Sequence, residues 1–130
     1  MRLVVKVGTS SVTNDSGAIR QDAIAGLCAQ VADLRTSGHE VIVVTSGAIA
    51  VGVAELGMAQ RPTDMLTLQA LAAVGQGHLM RAYNEHLRTH NLNGAQVLLV
   101  PNDFIDRTQY LHARDTIDRK STRLNSSHGY

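Results

Sequence analysis

A lysine followed by a glycine and two hydroxyl residues forms the first pattern that could do chemistry. Lys6 lies in the apolar stretch 3–7, and Gly8, Thr9 and Ser10 follow that stretch. An ammonium group is costly to bury among apolar side chains unless an anion accompanies it. Glycine lets the backbone approach a ligand closely, and successive amides and hydroxyls can surround a phosphate. The pattern favours a phosphate-binding turn, although an ordinary turn with Lys6 reaching into solvent also explains it.

A serine and a glycine follow a second apolar stretch. Residues 41–45 lead into Ser46, Gly47 and Ala48, after which a short helical pattern begins. Ligands of parallel α/β sheets bind beyond the carboxyl ends of the strands. A hydroxyl and the free N–H groups of a helix N-terminus suit a carboxylate or a phosphate. The structural alternative is that Ser46 merely caps the helix.

Hydrophobic periodicity predicts the elements that must position these residues. The stretches 3–7 and 41–45 are apolar and rich in valine, which predicts buried strands. Between them, apolar residues recur at three- and four-residue steps and predict a helix from Arg20 to Thr36. Strand, helix and strand form a βαβ unit with parallel strands and a right-handed crossover. The two chemical patterns are then expected to converge.

The second half of the chain predicts two more helices and a third strand. A short helix ends near Gly57, a loop surrounds Pro62, and a strand covers residues 95–100. The apolar residues of the longer helix recur mostly at every fourth position: Leu68, Ala72, Leu79, Tyr83 and Leu87. Gly75 and Gly77 lie inside this helix, where each glycine costs about 1 kcal/mol relative to alanine. We therefore expect a kink, a break or a tight helix contact there. Residues 103–117 are expected to be partly helical.

Composition excludes several classes of protein. Apolar residues make up 44% of the 130 residues, which is enough for one domain with a core. Aromatic residues make up only 3%, which disfavours nucleic-acid binding by base stacking. Cys28 is the only cysteine and lies on the apolar face of the predicted helix, so we expect it in the core and predict no disulfide and no metal site. Without an apolar run of ~20 residues or a secretory signal, we expect a cytoplasmic protein that binds no membrane.

The last residues differ from the rest of the chain. Residues 118–128 lack an apolar period and resemble the in-frame translation of a sequencing-adapter oligonucleotide. Without the three basic residues and one acidic residue beyond position 117, the net charge is −1 rather than +1. The net positive charge of the whole chain therefore does not indicate nucleic-acid binding. We expect residues 1–117 to be the N-terminal part of one domain and residues 118–130 to be a non-native or disordered tail.

Four segments together resemble the amino acid kinase family. They are residues 5–10 (VKVGTS), 43–50 (VVTSGAIA), 69–76 (QALAAVGQ) and 111–117 (LHARDTI), in the family's order and spacing. The TSGAIA and AAVGQ blocks are more specific than the lysine-glycine start, which related kinases share in variant form. His112 stands where the family often has asparagine.

The resemblance implies a three-layer α/β/α sandwich with a mainly parallel sheet, of which this chain would hold an incomplete part. It implies a kinase that uses ATP and Mg²⁺ to phosphorylate the γ-carboxylate of L-glutamate, the first step of proline biosynthesis, and that forms a homo-oligomer. The residues that match the family's ATP-binding turn are Lys6, Gly8, Thr9 and Ser10, with Lys6 also as the catalytic residue. The residues that match its glutamate-binding turn are Ser46, Gly47 and Ala48.

Other functions stay open at this point. The family's remaining glutamate ligands and its nucleotide-base pocket come after position 117, so we expect the chain alone to be inactive. Another carboxylate or carbamate kinase of the same family would share these patterns. A non-catalytic α/β module that binds a carboxylate through Ser46 would share the second of them, and an α/β scaffold without a ligand would need neither.

Overall fold

Two parallel strands form the centre of the described structure. The computed structural model describes residues 1–97. Its elements, in chain order, are β1 (Arg2–Val7), α1 (Thr9–Val12), α2 (Gln21–Thr36), β2 (Glu40–Thr45), α3 (Ala48–Glu55) and α4 (Met65–Arg88). β1 pairs with β2 along its whole length, from Arg2 opposite Glu40 to Val7 opposite Thr45. The predicted strand, helix and strand are confirmed, and their ends lie within one residue of the predicted ends.

The core lies where β1, α2 and α4 meet. In α2, the buried residues Ile24, Cys28 and Val31 recur at steps of four and three, which places them on one helical face. The buried residues that form the core cluster are Val7, Val12, Ile24, Cys28, Leu79, Ala82 and Tyr83. Burying one large aliphatic side chain contributes about 1.5–3 kcal/mol, so this cluster fixes the carboxyl end of β1 against both helices.

The two faces of the sheet have different environments. Side chains alternate between faces along a strand, and the face that carries Val5, Val7 and Val43 packs on the core. On the opposite face, Val4 is 65% exposed and Val44 is 48% exposed. We predicted a sheet covered on both faces, but within residues 1–97 the helices cover one face only. The structure therefore supports an α/β fold with a parallel sheet, and the described residues supply two layers of it.

The predicted third strand is not seen in the described residues. Residues 95–97, where that strand begins, have no regular secondary structure. Residues 98–100, the partly helical segment 103–117 and the predicted tail 118–130 lie outside the described residues.

α3 and α4 pack with their backbones in direct contact. A Cβ atom on Gly75 would collide with the carbonyl oxygen of Ala48, and a Cβ atom on Gly52 would collide with that of Leu71. Each helix thus places one glycine against the backbone of the other, and only glycine permits the two backbones to approach this closely. α4 continues without a break through both of its glycines, so the tight helix contact is confirmed and the predicted break is wrong.

Replacing Gly75 by alanine tests this contact. The added methyl group meets rigid backbone, so we expect Gly75→Ala to destabilise the chain by about 2 kcal/mol or more. Gly77 is the matched control, because a Cβ atom there meets nothing within 4 Å. Gly77→Ala should stabilise the chain by about 1 kcal/mol through helix propensity. Urea unfolding followed by circular dichroism measures both changes, and equal effects would contradict the packing.

The reactivity of Cys28 tests the core. Its side chain is 1% exposed, and burial raises the pKa of its thiol to about 11. Since an unfolded cysteine ionises near pH ~8.5, stability should fall as pH rises from there towards 11, because only the unfolded chain then releases its thiol proton readily.

At pH 8, we expect iodoacetamide to label Cys28 only as fast as the chain unfolds. Mass spectrometry counts this label without ambiguity, because Cys28 is the only cysteine. Labelling of the native chain at the rate seen in urea would show that the thiol is not buried.

Candidate functional site

Lys6 lies near the carboxyl end of β1, on the exposed face of the sheet. Its side chain alternates with the buried Val7 and shares its face with Val4. In the parallel register, Lys6 lies opposite Val44 of β2. The ammonium group therefore stands beside apolar, uncovered surface near the edge where the strands end. This is the position at which parallel sheets bind ligands.

The segment after β1 is a single helical turn rather than an open loop. Gly8 is the N-cap of α1, with no side-chain hydrogen bond at the cap. The Ser11 amide donates to the Gly8 carbonyl at 3.1 Å, and the Thr13 amide donates to the Thr9 carbonyl at 2.9 Å. The sequence predicts that the amides of Gly8, Thr9 and Ser10 surround a phosphate. The structure places Thr9 and Ser10 in the first turn of α1, with Gly8 as its N-cap and the buried Val12 at its end.

Ser46 does not cap α3. The N-cap is Gly47, whose φ of +108° is left-handed and whose cap carries no side-chain hydrogen bond. A serine at that backbone angle would be strained, which explains why glycine stands there. The alternative interpretation, that Ser46 caps the helix, is therefore wrong. The exposed hydroxyl of Ser46 makes no hydrogen bond within residues 1–97.

The two turns lie side by side at one edge of the sheet. The Ser46 amide donates to the carbonyl oxygen of Val7 at 2.9 Å, which extends the parallel pairing by one bond. A Cβ atom on Gly47 would lie 3.2 Å from Val12 Cγ2 and 3.8 Å from Thr9 Cγ2. The turn after β2 is therefore packed directly on the turn after β1. The predicted convergence of the two patterns is confirmed at the level of the backbone.

The start of α3 offers unpaired donors next to Ser46. An α-helix leaves its first N–H groups without helical acceptors. Within residues 1–97, no group accepts from the Gly47 or Ala48 amide. These two amides and the Ser46 hydroxyl are the donors from which a carboxylate site could be built, and Lys6 supplies the nearby positive charge.

A hydroxyl contact between Thr45 and Tyr83 at this edge was not predicted. Tyr83 of α4 is 6% exposed, and its hydroxyl lies 2.9 Å from Thr45 Oγ1 at the end of β2. Thr45 Oγ1 in turn donates to the carbonyl oxygen of Ser46 at 3.2 Å. Burial raises the pKa of the Tyr83 phenol above its usual value. Sequence spacing identified Tyr83 only as a helix-face residue, because nothing local signals a contact 38 positions away.

A cavity of about 380 Å³ lies elsewhere, between the segment before α2, the end of α3 and the middle of α4. Its ionisable lining residues are Glu55, His78, Arg81 and Glu85, and none of the predicted site residues lines it. Within residues 1–97, no helix is both long and apolar enough to cross a membrane. The same residues contain no group of three His, Cys, Asp or Glu side chains arranged to hold a metal ion.

Comparison with known proteins identifies the family. The model of the amino acid kinase family matches residues 1–125. The chain belongs to the amino acid kinase family. The chain is 52% identical over 116 residues to the glutamate 5-kinase of Ralstonia pickettii (strain 12J), and 50% identical over 116 residues to that of Cupriavidus taiwanensis. It is 45% identical over 117 residues to the glutamate 5-kinase of Pelobacter propionicus.

The chain corresponds to only part of these relatives. The alignments span 89–90% of this chain and 31% of each relative. The chain therefore spans about a third of the length of each of these relatives.

Replacing Gly47 by alanine tests the geometry of the second turn. The substitution forces a left-handed backbone on alanine and places a methyl group 3.2 Å from Val12 Cγ2. Gly57 is the matched control, because its φ is +64° but its Cβ position is open. We expect Gly57→Ala to cost about 1–2 kcal/mol from the backbone alone, and Gly47→Ala to cost clearly more in urea unfolding. Equal costs would mean that the two turns do not pack together.

Proposed function

We propose that this chain supplies the lysine-bearing turn and the carboxylate-binding turn of a kinase that transfers the γ-phosphate of ATP to the γ-carboxylate of L-glutamate. The observation that carries the proposal is the hydrogen bond from the Ser46 amide to the Val7 carbonyl, at 2.9 Å. It joins the turn that would hold the carboxylate to the turn that would hold the phosphates. The names of the relatives, all glutamate 5-kinases, support glutamate as the acceptor.

The reaction makes modest chemical demands on these residues. A side-chain carboxylate with a pKa near ~4.3 is already ionised at neutral pH, so no general base is needed. A carboxylate oxygen forms a bond to the γ-phosphorus while the bond from that phosphorus to the β-phosphate oxygen breaks, giving an acyl phosphate and ADP. Two anions must be brought into line, so positioning and charge neutralisation dominate.

The residues at the edge fit these demands in different ways. Lys6 would neutralise charge on the phosphoryl group during transfer. The first amides of α1, at Gly8, Thr9 and Ser10, would contact the phosphates from one helical turn. The donors of the second turn, at Ser46, Gly47 and Ala48, would hold the glutamate carboxylate.

The role of Mg²⁺ in this proposal follows from the phosphates. Residues 1–97 contain no group of three side chains that would bind a metal on their own. Mg²⁺ is commonly held by substrate phosphates with only one or two carboxylates, so the ion would enter with ATP and neutralise its charge. A three-layer sandwich, a homo-oligomer and a cytoplasmic location belong to the same proposal for the whole enzyme.

A chimera tests the proposal. Residues 1–117 would replace the matching segment of the Ralstonia pickettii relative, which is 52% identical over 116 residues. We expect ADP release that depends on glutamate, and none from the 130-residue chain alone. ADP release that does not depend on glutamate would contradict the assignment of glutamate as the acceptor substrate. A chimera that binds glutamate but never forms ADP would favour the non-catalytic module.

Two substitutions in the chimera separate the two turns. Lys6→Met should lower kcat by about 10²–10³-fold, because it removes charge stabilisation from the transition state. Ser46→Ala should mainly raise KM for glutamate, by about tenfold or more, because it removes a hydrogen bond to a charged group.

Matched controls exist for both variants. Arg2→Met changes a basic residue at the opposite end of β1, and Ser37→Ala changes an exposed serine after α2. Both controls should keep normal kinetics. Unchanged kcat in Lys6→Met, or unchanged KM in Ser46→Ala, would refute the proposed role of that residue.

A further inference from the structure

A chain of two hydroxyl groups links α4 to the carboxylate-binding turn. Tyr83 Oη lies 2.9 Å from Thr45 Oγ1, and Thr45 Oγ1 donates to the Ser46 carbonyl at 3.2 Å. A threonine hydroxyl has one proton, and a carbonyl oxygen can only accept. Since the Thr45 proton is directed to Ser46, the Tyr83 hydroxyl must be the donor to Thr45. The order is therefore Tyr83, Thr45, Ser46 carbonyl.

The orientation of the Ser46 carbonyl determines the orientation of the Gly47 N–H, which is a donor in the candidate site. The Ser46 carbonyl and the Gly47 N–H belong to one planar peptide unit and point to opposite sides. Holding the carbonyl towards Thr45 therefore turns the Gly47 N–H away from it. Within residues 1–97 this N–H has no acceptor, so it is available to a ligand at the edge of the sheet.

Within residues 1–97, this peptide unit makes no hydrogen bond other than the one from Thr45. Gly47 has no side chain, and the α3 cap has no side-chain hydrogen bond. The Ser46 amide is held by Val7, but that bond lies on the preceding peptide unit. Tyr83 itself is held firmly, because it is buried in the core cluster and its backbone carbonyl lies 3.7 Å from Cys28 Sγ.

We propose that Tyr83 is a positioning residue for the acceptor substrate: through Thr45 it orients the Ser46–Gly47 peptide so that the Gly47 N–H faces the carboxylate. The kinetic part of this inference rests on the proposed function, whereas its structural part does not. Tyr83 touches no substrate and acts only through Thr45. Loss of its hydroxyl should therefore affect glutamate binding and leave ATP binding alone.

The structural part is tested on the 130-residue chain by amide hydrogen exchange, resolved by NMR. Tyr83→Phe and Thr45→Val each remove one hydroxyl with little change of shape. We expect the Ser46 and Val51 amides, which donate to Val7 and to Gly47, to exchange about three- to tenfold faster, the effect of one hydrogen bond. The double variant should exchange no faster than either single variant, because both interrupt one chain of hydroxyls.

Cys28→Ala is the matched control for a general loss of packing. It removes a buried side chain that contacts the Tyr83 backbone but leaves both hydroxyls in place. Relative to the Leu79 amide in the core, exchange at Ser46 and Val51 should not rise in this variant. Unchanged relative exchange in Tyr83→Phe, or the same rise in Cys28→Ala, would overturn the inference whatever the activity.

The kinetic part is tested in the chimera. Tyr83→Phe should raise KM for glutamate about three- to tenfold, with KM for ATP and kcat unchanged, and Cys28→Ala should leave both KM values unchanged. If the unsubstituted chimera releases no ADP with glutamate, the proposed function fails and the exchange result still decides the role of Tyr83. If the chimera is active but KM for glutamate is unchanged in Tyr83→Phe, the positioning role alone is refuted.

Discussion

One backbone hydrogen bond, from the Ser46 amide to the Val7 carbonyl, brings the two candidate turns together. It is the last bond of a parallel pairing that begins at Arg2 and Glu40. Parallel strands end at the same edge of a sheet and need a crossover between them. The crossover here is α2, and its buried face anchors the sheet to the core. The adjacency of Lys6 and Ser46 is therefore a consequence of the strand–helix–strand order.

The second constraint acts on α3. Without tertiary contacts, the first turn of this short helix would be attached to the sheet only through Gly47. The glycine contact with α4, at Gly75 against the Ala48 carbonyl, holds that turn from one side. Gly47, packed on Val12, holds it from the other. With Tyr83 reaching Thr45, α4 fixes both the end of β2 and the start of α3.

Local sequence patterns were sufficient where one period dominates. The valine-rich runs gave β1 and β2, and the three- and four-residue steps gave α2 and the long α4. These local patterns could not predict contacts between residues that are distant in the sequence. The Gly75 approach to Ala48 appeared only as one of three outcomes for a glycine inside a helix, and Tyr83 appeared only as part of an apolar stripe. α1 was missed because four residues are too few to show a period. The sequence did not decide whether Ser46 caps α3, because the left-handed angle of Gly47 is not visible in it.

The most direct test of the account is the scalar coupling across the hydrogen bond between the Ser46 amide nitrogen and the Val7 carbonyl carbon. It can be measured by NMR on the ¹⁵N- and ¹³C-labelled chain. The account predicts a detectable coupling between these two atoms and slow exchange of the Ser46 amide. Absence of the coupling together with fast exchange of that amide would mean that the turns are separate, and the proposed meeting of phosphate and carboxylate would have no structural basis.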